Sequence, residues 1–413
     1  ANSTPVHKAG QPFTLGVSGY NAANVVTANY SGSPTAQIEC LLPAGCNLGA
    51  LSAGAFTANG GTLTSTTASY SEVGAINATF TDSVWGSVDS TDSPASCAGF
   101  YACSSATAIG RFVPDHFDIS ANTAAFTPAC GSFSYLGQPF DLGVAPDWRV
   151  TARNAGGGIT ANYSGSLFKL SAASITGQAW SAASGAVSPA GSLPAVSVSD
   201  LGGGQASVLF SVGAASGGGG LVFARGMPGA PFDASLNLSA SVADSEGVTY
   251  VGNPYLHSGI GFVGGQSGMR FGRLRLGNAA GSERVALPLP LTAQYWNGQG
   301  FVANTADNCT PIAAPSLTFF AQSADNQLAS GETSASFNTT MIAGNGNLRL
   351  LAPGTGNFGF LDLSVSAPAW LQYNWDGVDQ GSDASLLDDN PRARAAFGKR
   401  GGAAPVIMRR EIF

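Results

Sequence analysis

The sequence predicts an all-β fold: three tandem β-sandwich, immunoglobulin-like domains arranged in an elongated rod. Three observations carry that expectation. Apolar and polar residues alternate along most of the chain, turn-forming residues break the alternation at short intervals, and two long phrases are written twice.

The alternation has period two, the mark of strands with one face buried and one wet. In "SLNLSASV" the apolar set is Leu236, Leu238, Ala240 and Val242; in "LDLSVSA" it is Leu361, Leu363 and Val365; in "RLRL", Leu274 and Leu276 alternate with Arg273 and Arg275. Gly, Asn, Asp and Pro clusters separate these runs, as antiparallel hairpins require. Helical periodicity is confined to "DDNPRARAAFG" (Asp388–Gly398), where Pro391 suits a first turn and Gly398 a stop.

The repeats set the domain organisation. "GQPFTLGV" begins at Gly10 and "GQPFDLGV" at Gly137, 127 residues later; "TANYSGS" occupies Thr27–Ser33 and again Thr160–Ser166, 133 residues later. A second landmark, "IGRFVP" at Ile109–Pro114, is answered by "RFGRLRL" at Arg270–Leu276. The second unit is longer, and its extra residues are expected around Gly217–Gly220 and in a loop over Val251–Gly268. A third unit follows, with "LPLPLTAQYWNGQGFVANT" (Leu287–Thr305) standing where the repeated block stood before. The expected domains are 1–114, 115–270 and 271–413, abutting through short linkers. Each "TANYSGS" ends a strand and enters a corner. It reads as the mark of duplication, since a binding motif belongs on variable loops and not on the repeated frame.

Composition narrows the function classes. The chain has 44 % apolar and only 10 % charged residues, with 56 glycines, which suits folded structure and not a disordered tail. Its net charge is −7; nucleic acid needs a positive surface to displace counterions and is excluded as a partner. No apolar run approaches the roughly 18 residues that span a bilayer, so the chain is not expected to be an integral membrane protein, and Ala1–Gly10 has no signal-peptide pattern.

Six cysteines, Cys40, Cys46, Cys97, Cys103, Cys130 and Cys309, invite disulfides. "CLLPAGC" and "CAGFYAC" read as local staples, Cys40–Cys46 and Cys97–Cys103, which leaves Cys130 and Cys309 for a long-range bridge. The alternative is buried free thiols. Disulfides place the chain in an oxidising compartment.

Candidate chemistry is sparse. His116 lies between Asp115 and Asp118, but no nucleophile elbow frames a serine, and a hydrogen-bonded or solvated histidine at a junction is the plainer reading. No catalytic residue is assigned and the chain is expected not to be an enzyme. The run "NWDGVDQGSDASLLDDN" gathers oxygen ligands, with Asp376, Asp379 and Asp383 as a Ca²⁺ set; a solvated acidic loop is the alternative, and no other cofactor is implied. Trp296 and Trp370 are expected in packing, while Trp375, beside that loop, is the candidate for aromatic contact with a sugar ring or partner surface.

The third unit also carries a resemblance. "FGRLRLGNAAGSERVALPLPLTAQYWNGQGFVANTADNCT", "WLQYNWDG" and "NPRARAAFG", with the preceding "GQPFTLGV…NYSG" and "IGRFVPDHFDI", resemble the MSHA pilus biogenesis protein MshQ-like family over nearly the whole chain. The resemblance implies a large exported Gram-negative protein of the cell surface, associated with a type IV pilus system, and implies no chemistry. The chain departs from the family in its ending, "GKRGGAAPVIMRREIF", and in having no lectin-like module, so glycan binding is not carried over. The expected function is a stalk or tip in adhesion or pilus assembly, with pilin or other surface subunits, a second copy, or a host or surface glycan as partners. The alternatives are a subunit that polymerises into an extracellular filament by strand exchange through "APVIMRREIF", and a glycan-binding or carbohydrate-active module.

Overall fold

Nearly every regular element is a strand, in a computed structural model that describes residues 4–85, 102–182, 185–189, 193–211, 220–263, 268–319, 328–374 and 385–398. The strands form paired sheets in three successive stretches of chain. In the first, one sheet orders His7–Lys8, Thr107–Val113, Gly74–Asp82 and Thr35–Leu42; the facing sheet orders Phe13–Ser18, Thr62–Tyr70 and Leu51–Ser52. In the second, His116–Ala121, Asp147–Arg153, Gln205–Ser211 and Ala195–Gly202 face Asp141–Val144, Ala125–Thr127, Tyr255–Phe262, Leu236–Val242 and Ile175–Ala182. In the third, Gly272–Leu276, Leu291–Trp296 and Phe301–Ala303 face Ala279–Gly281, Arg392–Phe397, Gly359–Ser364 and Ser316–Thr318.

Each pair of sheets closes over a core drawn from both, which makes each stretch a β-sandwich. Trp148, Val150, Val208 and Phe210 meet Leu236, Leu238 and Ile260 in the second unit; Leu274, Leu291 and Ala293 meet Leu361, Leu363 and Ala395 in the third. The burial follows the alternation in the sequence: Leu236–Val242 buries every second residue from Leu236 on, and Gly272–Leu276 does the same. Apolar side chains on one face of a strand pay no cost in unpaired polar groups, because the ladder satisfies the backbone.

Two expected elements differ. Asp388–Gly398 holds no helix: Arg392–Phe397 is a strand, antiparallel to Gly359–Ser364 and parallel to Ala279–Gly281. Ala393, Ala395 and Phe397 face the core and alternate with exposed or half-buried arginines and alanine, so period two outweighs the helix propensity of Ala and Arg. The expected loop over Val251–Gly268 contains the strand Tyr255–Phe262, which pairs with Leu236–Val242 and carries the buried Ile260 and Phe262. The two "TANYSGS" copies form corners as expected, but each is entered from an isolated bridge, Tyr20 to Val26 and Arg153 to Ile159, and not from a strand.

Hydrogen bonds join the first unit to the second and the second to the third. The units are thus connected in series. The sites of interest are the two places where they meet.

Candidate functional site

The first junction is built around Glu72. It sits on the turn between Thr62–Tyr70 and Gly74–Asp82 and is 6 % exposed. Its carboxylate accepts hydrogen bonds from the backbone N–H groups of Val73 (2.8 Å), Ala161 (2.9 Å) and Asn162 (3.2 Å). Asn162 returns the contact: its Nδ2 donates to the carbonyls of Asn47 (2.9 Å) and Val73 (3.1 Å), and its Oδ1 accepts from the Asn47 N–H (2.8 Å). Asn154 Nδ2 donates to the Ser71 carbonyl (2.8 Å) and the Ala155 N–H to the Ala9 carbonyl (2.9 Å). Arg111, buried, forms an ion pair with Glu246 across the same junction. Burial holds the Glu72 carboxyl above its ordinary 4.5, against the opposing pull of the Val73, Asn162 and Ala161 N–H donors.

Thr160–Tyr163, the first four residues of the second "TANYSGS", is therefore part of this interface. The expectation that the phrase marks only duplication is corrected: in the second unit it is also a docking element. The first copy has the same local structure. Thr27 N–H donates to the Gly19 carbonyl as Thr160 N–H does to that of Ala152, and Tyr30 N–H donates to Thr27 as Tyr163 N–H does to Thr160. Tyr30 Oη donates to Asp82 (3.0 Å) and Tyr163 Oη to Asp244 (2.7 Å), tying each corner to its own sandwich. Burial and the adjacent aspartate push both phenols above their ordinary value. In the first copy, however, Ala28 and Asn29 are exposed.

The second junction is tighter. The segment following Ala125–Thr127 leaves the second unit and enters the core of the third, which includes Cys130, Phe133 and Tyr135. Cys130 is bonded to Cys309, with a Cα–Cα distance of 5.6 Å across 179 residues of sequence. Tyr135 Oη donates to Asp307 (2.9 Å) and accepts from Asn304 Nδ2 (2.6 Å). Asp307, fully buried, also accepts from the Thr310 hydroxyl (2.7 Å) and N–H (3.0 Å). Burial first, and Asp307 second, hold the Tyr135 phenol far above its ordinary value.

Asn304 N–H donates to the Ala293 carbonyl and Asp307 N–H to that of Asn304, the same pattern as Thr27 and Tyr30. Asp307 thus occupies the tyrosine position of the repeat. The tyrosine–aspartate tie survives, but here the tyrosine comes from the preceding unit.

Arg225 completes this junction, donating to the carbonyls of Gly272 (2.7 Å), Ala369 (3.2 Å) and Leu387 (3.2 Å) while lying 4.9 Å over the Phe271 ring. Burial brings its guanidinium down to about 10. Trp296, Phe301 and Tyr373, all half-buried, pack against the core of the second unit, with the Phe301 ring 5.2 Å from each of the other two. Trp370 packs on the core of the third.

The remaining sequence candidates fall as follows. Cys40 is bonded to Cys46 with a Cα–Cα distance of 5.7 Å. Cys103 is disulfide-bonded; Cys97, its expected partner, lies outside the described residues, as do Trp375, Asp376, Asp379, Asp383 and the terminal "APVIMRREIF". His116 Nδ1 is 2.9 Å from Asp115 and its Nε2 3.9 Å from Asp118. His257 Nδ1 accepts from Trp148 Nε1 (3.3 Å), and burial holds its imidazole below the ordinary 6.5. Among the described residues, Cys130, Asp307 and Cys309 form the group with metal-ligand spacing, but their sulfurs are joined to each other and offer no thiolate. No described helix is long and apolar enough to cross a membrane.

Sequence reasoning missed Glu72, Asn47, Tyr135, Asn304, Asp307 and Arg225. One signal was available: Asn21-Ala22 recurs as Asn154-Ala155 at the same 133-residue offset as "TANYSGS", and in the second copy these positions touch the neighbouring unit.

Comparison with known families matches the DUF6701 third-domain model to residues 72–259 and the DUF6701 fourth-domain model to residues 270–412. No curated protein matches. Among solved structures, an I-band fragment of titin aligns at 9 % identity over 95 % of this chain and 95 % of that chain, with a TM-score of 0.25. Drosophila OTK, extracellular domains 3–5, aligns at 11 % identity over 96 % and 97 %, with a TM-score of 0.20. Scores this low say nothing of what the units bind or how they are arranged.

Proposed function

The chain belongs to the DUF6701 family, and on that footing we propose that it is an exported, non-enzymatic surface protein whose tandem sandwiches act as a stiff stalk or tip in adhesion or pilus assembly. The observation that carries the reading is the pair of closed junctions. Domains in one chain move relative to each other by default unless their interface is large and well packed. Here Glu72 and Asn162 bury a hydrogen-bonded network between the first two units, and Cys130–Cys309 bonds the second to the third. Such joints transmit position along a chain and suit a spacer. The disulfides support export to an oxidising compartment. The pilus association rests on the sequence resemblance alone.

The test is direct. Labelled whole protein should bind the surface of producing cells or purified pilin subunits and remain monomeric by sedimentation. Ordered polymers in negative-stain images at low concentration would instead favour a filament subunit, and selective retention on a glycan array would favour a glycan-binding module. Calcium at Asp376, Asp379 and Asp383 is a separate proposal: a ligand that binds only the folded state raises its stability, so a melting temperature unchanged by chelator removes it.

A further inference from the structure

The two junctions carry disulfides of different character. Cys130–Cys309 lies inside the second: Cys130 is 2 % exposed, and Asp307 Oδ1 stands 3.7 Å from its sulfur and 3.6 Å from that of Cys309. Reduction of a disulfide begins with attack by a thiolate and releases another. A buried carboxylate beside both sulfurs repels the first and disfavours the second, so this bridge resists exchange. Cys40–Cys46 is open to such attack. Both of its residues are partly exposed, on a short loop at the end of Thr35–Leu42.

That loop leads directly into the first junction. Cys40 is still in the strand, opposite Ile76, and Leu42 packs against the cluster that joins Val73 and Val113 to the core of the second unit. The chain turns back through residues 43–45, with Gly45 at a φ of +70°, and Asn47 follows Cys46 at once. Asn47 meets Asn162 through its backbone alone: its N–H donates to Oδ1 (2.8 Å) and its carbonyl accepts from Nδ2 (2.9 Å). Its place is thus set by the chain on either side and not by its own side chain. On the far side, Gly49 N–H donates to Tyr70 Oη (3.2 Å) and Ala50 N–H to Ser71 Oγ (2.9 Å). On the near side the anchor is the disulfide, which holds the Cα atoms of Cys40 and Cys46 5.7 Å apart.

We infer that Cys40–Cys46 is a thiol–disulfide exchange site that sets the stiffness of the first junction, with a dithiol as its co-substrate. One thiolate of the dithiol attacks a sulfur of the bridge, forms a mixed disulfide and releases the other cysteine. The second thiol then closes on the first, so the dithiol leaves as a cyclic disulfide and its two protons pass to Cys40 and Cys46. With the ring open, residues 41–46 regain conformational freedom. Asn47 is then held only from Gly49 onward, and Asn162 loses the fixed partners of its Oδ1 and of one Nδ2 hydrogen. Cys130–Cys309 stays closed, so the second unit loosens at one end and not at the other. The exchange does not depend on what the chain binds.

The whole protein is treated with dithiothreitol under native conditions and sampled by alkylation and peptide mass spectrometry. Cys40 and Cys46 should be labelled before Cys130 and Cys309. Amide exchange at Ala161 and Asn162 should accelerate about tenfold, within what opening a ring of this size supplies. The amides of Ala78 and Phe80, in the first unit's own sheet, should be unchanged, and reoxidation should restore the slow exchange. Cys40→Ser combined with Cys46→Ser should give the faster exchange without reagent and show no further response to it, which separates this bridge from the others. The assignment is overturned if Cys130–Cys309 opens first or at the same rate, or if Ala161 and Asn162 are unmoved in both the reduced protein and the double variant. Equal acceleration at Ala78 and Phe80 also overturns it, because the bridge would then only stabilise the first unit.

Discussion

The two copies of one sequence motif, Thr27–Tyr30 and Thr160–Tyr163, have the same backbone hydrogen bonds and the same tyrosine–aspartate tie, yet opposite surroundings. Asn162 is 5 % exposed and makes hydrogen bonds to Asn47 and Val73; Asn29 is exposed. The local fold of the motif is set by its own residues, and its burial by whether a neighbour supplies a carboxylate. An asparagine in water keeps its hydrogen bonds with solvent, whereas one buried at a junction depends on its protein partners. The two copies should therefore respond to the same substitution very differently.

The largest expected effect sharpens the contrast between the two junctions, since one is covalent and the other is held by hydrogen bonds. Replacing Cys130 and Cys309 together by Ala removes a bridge spanning 179 residues and should cost about 2–5 kcal/mol, read as a lower urea midpoint for the third unit. At the first junction, Glu72→Ala strips the acceptor from Ala161 and Asn162 N–H. It should destabilise by about 1–3 kcal/mol, and amide exchange at those two positions should accelerate while the Cys130 region is unchanged. A result in which exchange rises equally along the whole chain would mean that the first junction is not an independent element.

The direct comparison of the copies comes next. Asn162→Ala orphans the groups around Asn47 and should cost about 1–3 kcal/mol, while Asn29→Ala should stay within about 0.5 kcal/mol. Equal losses in thermal unfolding would contradict the docking role of the second copy.

The strands were legible because one-sided burial imposes period two, and Leu236–Val242 and Gly359–Ser364 obey it. Arg392–Phe397 was misread because Pro391 and a run of Ala and Arg suit a helix start, while the pairing that makes it a strand comes from Gly359–Ser364, whose paired residues lie 28 to 38 positions away. The junction residues were hidden for the same reason. Glu72 is a single acid in "ASYSEVG" whose partners in the second unit lie 89 and 90 residues on, and Tyr135 meets Asp307 across 172. Chemistry assembled over such separations leaves no local pattern. The exception is the repeat, which writes the contact positions twice and so exposes them as Asn21-Ala22 and Asn154-Ala155.

The smallest expected effect sets the carboxylates of the two copies against each other as pH changes. Burial would raise Asp82, but the N–H donors of Trp85, Val84 and Ser33 and the Tyr30 hydroxyl outweigh it, and its carboxyl lies below the ordinary 3.8. Glu72 goes the other way, raised above 4.5 by burial. A lowered acid binds protons less tightly when folded, so the Asp82 contribution is present above its ordinary value and lost as pH falls through the lowered one. A raised acid binds them more tightly when folded, so the Glu72 contribution is complete below 4.5 and lost as pH rises through the raised value. Between pH 4 and neutrality the first junction should therefore loosen slightly with rising pH, while the Tyr30 corner keeps its tie to Asp82. Glu72→Gln cannot titrate and should flatten that slope in urea midpoints measured across the window. An unchanged slope would remove Glu72 as its source.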